Sequence, residues 1–176
     1  MDIRYLENVE IYKSVILDGM FNANKSVWIA TANVKNLQIE ESHHYISILK
    51  PFKNLCRRGV DLRILHSGIP SEAFLNDFRK YELHKEEKFL MRRCLRVHFK
   101  SVLIDEKKLF IGSPNLTGAG LGTKAQNRRN FEIGIITDDN ELIKRVRSLF
   151  SRIWEGEMCT DCGRRKICYV PLEEPA

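Results

Sequence analysis

The chain has no uninterrupted apolar run long enough to cross a membrane, which removes the usual signature of a spanning helix. Its opening residues, Met1-Asp2-Ile3-Arg4-Tyr5-Leu6-Glu7, carry charges where a secretory signal needs an apolar core. A soluble, cytoplasmic protein with no stable membrane association is therefore expected. Cysteines are few and odd in number, five in all, so a framework of paired disulfides is not the natural reading. Cys159, Cys162 and Cys168 crowd together near the C-terminus, a clustering that suits a metal site, while Cys56 and Cys94 stand apart. Internal repeats are also missing, and every motif occurs once.

What is present suits one domain with a buried core: 176 residues, 43% of them hydrophobic. Lys and Arg number 29 against 23 acids, a formal net charge of +6, which mildly favours a polyanionic partner. Apolar residues at helical spacing predict a helix over 6–21, and a β-rich apolar stretch predicts a strand buried on both faces over 26–34. A helix over 41–58 closed by Gly59, a strand over 60–66 and a helix from Pro70-Ser71 to about His84 follow. Further strands are expected over 95–105, 108–113 and 131–137, with a closing helix over 140–154. Helices alternating with strands point to an α/β fold, a layered mixed β-sheet flanked by helices in a single domain.

Chemistry concentrates after Val97. If 95–105 is a strand, Arg96, His98 and Lys100 share one face, while Leu95, Val97, Phe99 and Leu103 turn to the core. A turn at Glu106-Lys107-Lys108 then returns the chain antiparallel and brings Gly112-Ser113 towards Lys100. Cleaving a phosphodiester needs a nucleophile, positive donors for the non-bridging oxygens and a proton source. His98 is a candidate nucleophile. Lys100 offers a charge, Asn115 an amide donor and Ser113 a hydroxyl, while Gly112 lets backbone approach the phosphate. Asp105 falls on the opposite register and reads as structural.

The series His98, Lys100, Asp105, Gly112, Ser113 and Asn115, at its fixed gaps, resembles the HKD signature of the phospholipase D superfamily. That resemblance implies a catalytic domain over residues 1–156, with 157–176 as a cysteine-containing tail. It implies attack by His98, a covalent phosphohistidine and no cofactor or metal for catalysis. It also implies a second histidine to protonate the leaving group, because one ring cannot attack and donate at once. This chain carries a single motif and is most similar to the small single-motif nucleases of that superfamily, so a twofold homodimer with both His98 rings in one shared site is expected. Glu132 stands where related enzymes keep an acid that orients the imidazole.

Other residues carry weaker signals. Residues 118–130 hold Lys124, Arg128 and Arg129, three glycines and no acid, which suits a mobile basic loop gripping a nucleic-acid backbone; a solvated connector is the plain alternative. Arg96 belongs to the same substrate-facing charge, with Arg92 and Arg93 nearby. Cys159, Cys162 and Cys168 could hold a structural zinc, or less favourably an iron–sulfur cluster, with a fourth ligand from Cys94, Cys56, a histidine or a partner chain. Free thiols or a tail disulfide are the alternatives, and nothing in the sequence ties such a site to His98. An endonuclease acting on DNA or RNA is the leading reading. A phospholipase D-type lipid hydrolase or transferase and a catalytically silent nucleic-acid-binding module are the competitors.

Overall fold

In the computed structural model, which describes residues 2–41 and 43–168, strand β1 (Ile3–Glu7) leads into a helical turn, α1 (Val9–Ile11). This widens into a π-helical stretch at Tyr12–Leu17, closed by the Asp18 N–H donating to the Lys13 carbonyl at 2.9 Å. Strand β2 (Ser26–Thr31) follows, buried along its whole length. Two short paired strands, β3 (Gln38–Glu41) and β4 (His44–Ser47), precede helix α2 (Leu49–Arg57). Strand β5 (Asp61–His66), helix α3 (Glu72–Lys80) and strand β6 (Phe89–Arg93) complete the first half. The second half holds β7 (Ser101–Ile104), β8 (Lys108–Gly112), β9 (Ile133–Thr137) and helix α4 (Asn140–Trp154).

Seven strands form one mixed sheet in the order β1-β9-β8-β7-β2-β5-β6, with β2-β5 and β5-β6 parallel and the remaining pairs antiparallel. One face, carrying Val27, Ile29, Leu62, Ile64, Val102 and Phe110, packs under the π-helical stretch, α2 and α3. The other face, with Trp28, Leu65, Leu103 and Leu109, is covered by α4. There Phe150 lies between Trp28 and Trp154, with ring centroids 5.2 and 5.6 Å away. The two buried layers explain why β2 is apolar on both sides. Helix ends are capped as their sequences suggest: Ser71 accepts from the Phe74 N–H at 3.3 Å and Asp139 from the Leu142 N–H at 2.7 Å.

Several expected elements differ. The helix expected from residue 6 begins at Val9, because Ile3–Glu7 pairs as an edge strand with β9. The helix expected from 41 begins at Leu49, since Gln38–Ser47 forms β3 and β4, while Pro51 sits in the first helical turn, where a missing N–H costs nothing. Strand β6 was not expected at all. The strand expected over 95–105 is regular only from Ser101 to Ile104, and residues 94–100 form a turn and an extended irregular segment. Of the 157–176 tail, residues 157–168 form successive tight turns and residues 169–176 lie outside the described residues. No helix among the described residues is long and apolar enough to cross a membrane.

Candidate active site

The register of the sheet gathers the motif at one end. Thr31 closes β2 beside Lys100, which precedes β7, because Ala30 pairs with Ser101. The Gly112 N–H donates to the Lys100 carbonyl at 3.2 Å, and Gly112 lies opposite Gly134 on β9. A Cβ at Gly112 would stand 2.6 Å from the Phe110 ring and 2.7 Å from the Ile133 carbonyl oxygen, so only glycine lets β8 and β9 approach here. Ser113 follows directly, its N–H donating to the Ile133 carbonyl at 2.9 Å. Lys100, Ser113 and the start of β9 are thereby neighbours.

Asn115 is held by one side of its amide. Its Oδ1 accepts from the Thr31 hydroxyl at 3.2 Å and from the Ala32 and Asn33 N–H groups, each at 3.0 Å. Two backbone donors fix which amide atom is oxygen, so Nδ2 is aimed away from β2 as a donor. Lys100 and Asn115 line the same small cavity, of about 20 Å³. The Lys100 ammonium pairs with no described acid, and His98, two residues upstream, is exposed with no hydrogen-bond partner among the described residues. A lysine and an oriented amide thus lie at one end of the sheet, with an exposed imidazole two residues before the lysine. That combination can neutralise the two non-bridging oxygens of a phosphodiester while the ring attacks phosphorus.

Three residues sit differently from expectation. Glu132, expected to bond the imidazole, instead accepts from the Ser113 hydroxyl and from the Asn130 side-chain amide at 3.0 Å. It is buried, and its backbone is tied to Asn8, whose Oδ1 accepts from the Glu132 N–H at 3.2 Å. Ser113 therefore gives its only proton to Glu132 and receives the Ile133 N–H at 3.1 Å, so it pins the end of β8. Arg96 does not share a strand face with His98 and Lys100. It lines a separate pocket together with Cys94, Cys159, Cys162 and Cys168.

Asp105 faces away from the site and accepts from the backbone N–H groups of Asn24, Lys25 and Ser26 at 2.7–3.1 Å. Burial alone would raise its pKa, but these three amides, with Lys107 nearby, outweigh it and hold the carboxyl below the usual carboxylate range. The basic loop is folded back on itself, with the Thr123 and Lys124 N–H groups donating to the Gly118 carbonyl and the Asn130 N–H to that of Ala119. Lys124 and Arg128 are exposed on it, whereas Arg129 turns towards a groove beside β3 and β4. Arg92 and Arg93 are engaged elsewhere, on the Trp154 and Ser67 carbonyls. Thr31, Asn8 and Asn130, which hold Asn115 and Glu132, carried no sequence signal of their own.

The family model described as "Cardiolipin synthase, PLD-like domain" matches residues 16–154. No curated protein matches the chain significantly. Among solved structures, Nuc, a phospholipase D family member from Salmonella typhimurium, superposes with a TM-score of 0.61 at 17% identity, covering 88% of this chain and 94% of Nuc. NucT from Helicobacter pylori gives 0.61 at 20% identity over 88% of this chain and 97% of NucT. TrmBL2, an archaeal chromatin protein whose structure shows a mode of DNA binding, gives 0.56 at 14% identity, covering 88% of this chain but 53% of TrmBL2. The fold is thus that of the phospholipase D structures, and with the family model spanning most of its length the chain belongs to the PLD-like domain family.

Proposed function

We propose that the protein is an endonuclease that cleaves DNA or RNA phosphodiesters through a phosphohistidine on His98, at a site shared by two copies of the chain. The observation that carries the reading is that Lys100 and Asn115 line one cavity, with Asn115 Oδ1 committed to donors at the end of β2 and the exposed His98 two residues before Lys100. In the first step a ring nitrogen of His98 attacks phosphorus as the bond to the leaving oxygen breaks, and the partner's protonated His98 supplies the proton to that oxygen. In the second step the partner's ring, now neutral, takes a proton from water, which attacks phosphorus and releases the histidine. Lys100 and Asn115 supply the charge compensation, and the scheme uses no metal for catalysis.

A feature of the surface supports the twofold arrangement. Helix α4 covers β8, β7, β2 and β5 but leaves the outer face of β1 and β9 bare. Ile3 (51% exposed), Tyr5 (56%) and Ile133 (56%) share that face, and Phe131, 97% exposed, adjoins Ile133. An exposed apolar strip beginning beside Ser113, near the motif, suits a second copy of the chain. The basic balance, the exposed Lys124 and Arg128, and the DNA-binding mode described for TrmBL2 favour nucleic acid. The cardiolipin synthase description of the family model keeps a lipid phosphodiester as the competing substrate.

The deciding experiment incubates the purified protein in EDTA with plasmid, single-stranded DNA, RNA and anionic lipid vesicles, beside a His98→Ala variant. Cleavage of at least one nucleic acid, reduced about 10³-fold or more in the variant, is the expected result. Headgroup release from vesicles without nucleic-acid cleavage would overturn the nuclease reading. Equal rates for the two proteins would overturn the role of His98.

A further inference from the structure

The C-terminal turns do more than end the chain. After α4 the backbone closes on itself every three residues, with the N–H groups of Cys159, Cys162, Arg165 and Cys168 donating to the carbonyls of Gly156, Cys159, Cys162 and Arg165. This coil brings Cys159, Cys162 and Cys168 to one pocket, of about 240 Å³. The fourth thiol there is Cys94, some sixty residues upstream in sequence, on the turn that follows β6. Cys94 is held by its own N–H, which donates to the His66 carbonyl at 2.7 Å, and the Arg164 guanidinium donates to the neighbouring Leu95 carbonyl at 2.6 Å. Cys56, by contrast, is buried on the core-facing side of α2 and does not line this pocket.

We infer that Cys94, Cys159, Cys162 and Cys168 form a four-thiolate metal centre that staples the C-terminal turns to the segment carrying His98. Four cysteines with no competing oxygen donor select a soft metal, either one zinc ion or an iron–sulfur cluster. Among the described residues no three donors are already gathered closely enough to hold a metal, so the inferred centre requires the four thiols lining this pocket to draw together on binding. Four thiolates leave such a centre with net negative charge, and Arg96, Arg164 and Arg165 line the same pocket to offset it. The place of Arg96 here accounts for its absence from the phosphate clamp. Apolar walls from Val97 and Phe99 keep water away and continue directly into the nucleophile, since both flank His98.

The centre is independent of which phosphodiester is cut, and its test reads metal first. The full-length protein, purified without oxygen, is assayed for zinc, iron and acid-labile sulfide, and its thiols are mapped by alkylation and mass spectrometry. Zinc at one per chain, or iron with matching sulfide, is expected. Metal should fall to background in Cys94→Ser and in Cys168→Ser and persist in Cys56→Ala. Metal-free wild-type protein, disulfides among these four cysteines in place of metal, or retention of metal by Cys94→Ser would each overturn the inference. Circular dichroism of the variants separates loss of the centre from loss of the fold.

Discussion

At the scale of single residues, the site is built by committing one end of a side chain so that the other end is aimed. Asn115 shows this most clearly, with Oδ1 taking three donors and Nδ2 left as the outward donor that the proposed function assigns to a phosphate oxygen. Asn115→Asp keeps the accepting oxygen but replaces the outward donor with a carboxylate oxygen that repels substrate. Its kcat/KM should fall about 10²- to 10³-fold, while the melting temperature stays close to wild type. A large loss of stability with little change in activity would show that the residue serves the fold instead. Glu132 works through Ser113 in the same manner, as a positioning residue for the end of β8. His98, Lys100 and Asn115 were marked as a set by the resemblance of their spacing to the HKD signature. The partners of Ser113 and Glu132 were not legible, because a bond between residues 19 apart depends on the register of β8 against β9.

At the scale of elements, the turn between β7 and β8 places both Asp105 (φ 54°) and Glu106 (φ 57°) in the left-handed region, a conformation unfavourable for residues with a side chain. The three backbone N–H groups bound by the Asp105 carboxylate offset that cost and anchor the start of β2. Asp105→Asn leaves one accepting oxygen, so stability at pH 7 should drop by about 1–2 kcal/mol in urea unfolding. Because the folded-state pKa is depressed, this contribution is complete above the unfolded value of about 3.9 and is lost as pH falls through the folded value. The gap between wild type and variant should therefore narrow in acid; a gap unchanged from pH 7 to pH 3 would contradict the role assigned to the carboxylate.

The elements most legible in sequence were the interior ones. Strands β2, β5 and β8 have long apolar patterns because each is packed on both faces, and helix α4 shows helical periodicity because it buries Ile143, Phe150 and Trp154 on one face. The two edge strands were missed for the opposite reason. Strand β1 exposes Ile3 and Tyr5 and has one neighbour, while β6 ends in Arg92 and Arg93, so neither shows the alternation of a half-buried strand. Residues 95–100 show the reverse error, since Val97 buries between the exposed Arg96 and His98 with no strand pairing to regularise them. Their irregular path is what takes Arg96 to the cysteine pocket.

At the scale of the whole molecule, the proposed mechanism uses two imidazoles while the HKD motif occurs once in this sequence, so the second is proposed to come from another copy. The bare strip of Ile3, Tyr5, Phe131 and Ile133 is where that copy is expected. Phe131→Asp places a charge at its most exposed point. Light scattering should then report a monomer, with cleavage reduced at least about 10²-fold, and activity should reappear at high protein concentration. A fully active monomer would remove the shared site. In the sequence this proposal rests on one HKD histidine where the two-step scheme uses two; the strip itself depends on how far α4 reaches across the sheet.

The central claim is that His98 becomes covalently bonded to phosphorus. Its most direct test is a rapid quench of the protein with an excess of labelled oligonucleotide in EDTA, followed by mass spectrometry of the peptide carrying residue 98. A phosphoryl adduct on His98 that forms and decays at rates matching turnover is predicted. Cleavage that proceeds with no adduct on His98, or with one on another side chain, would contradict it.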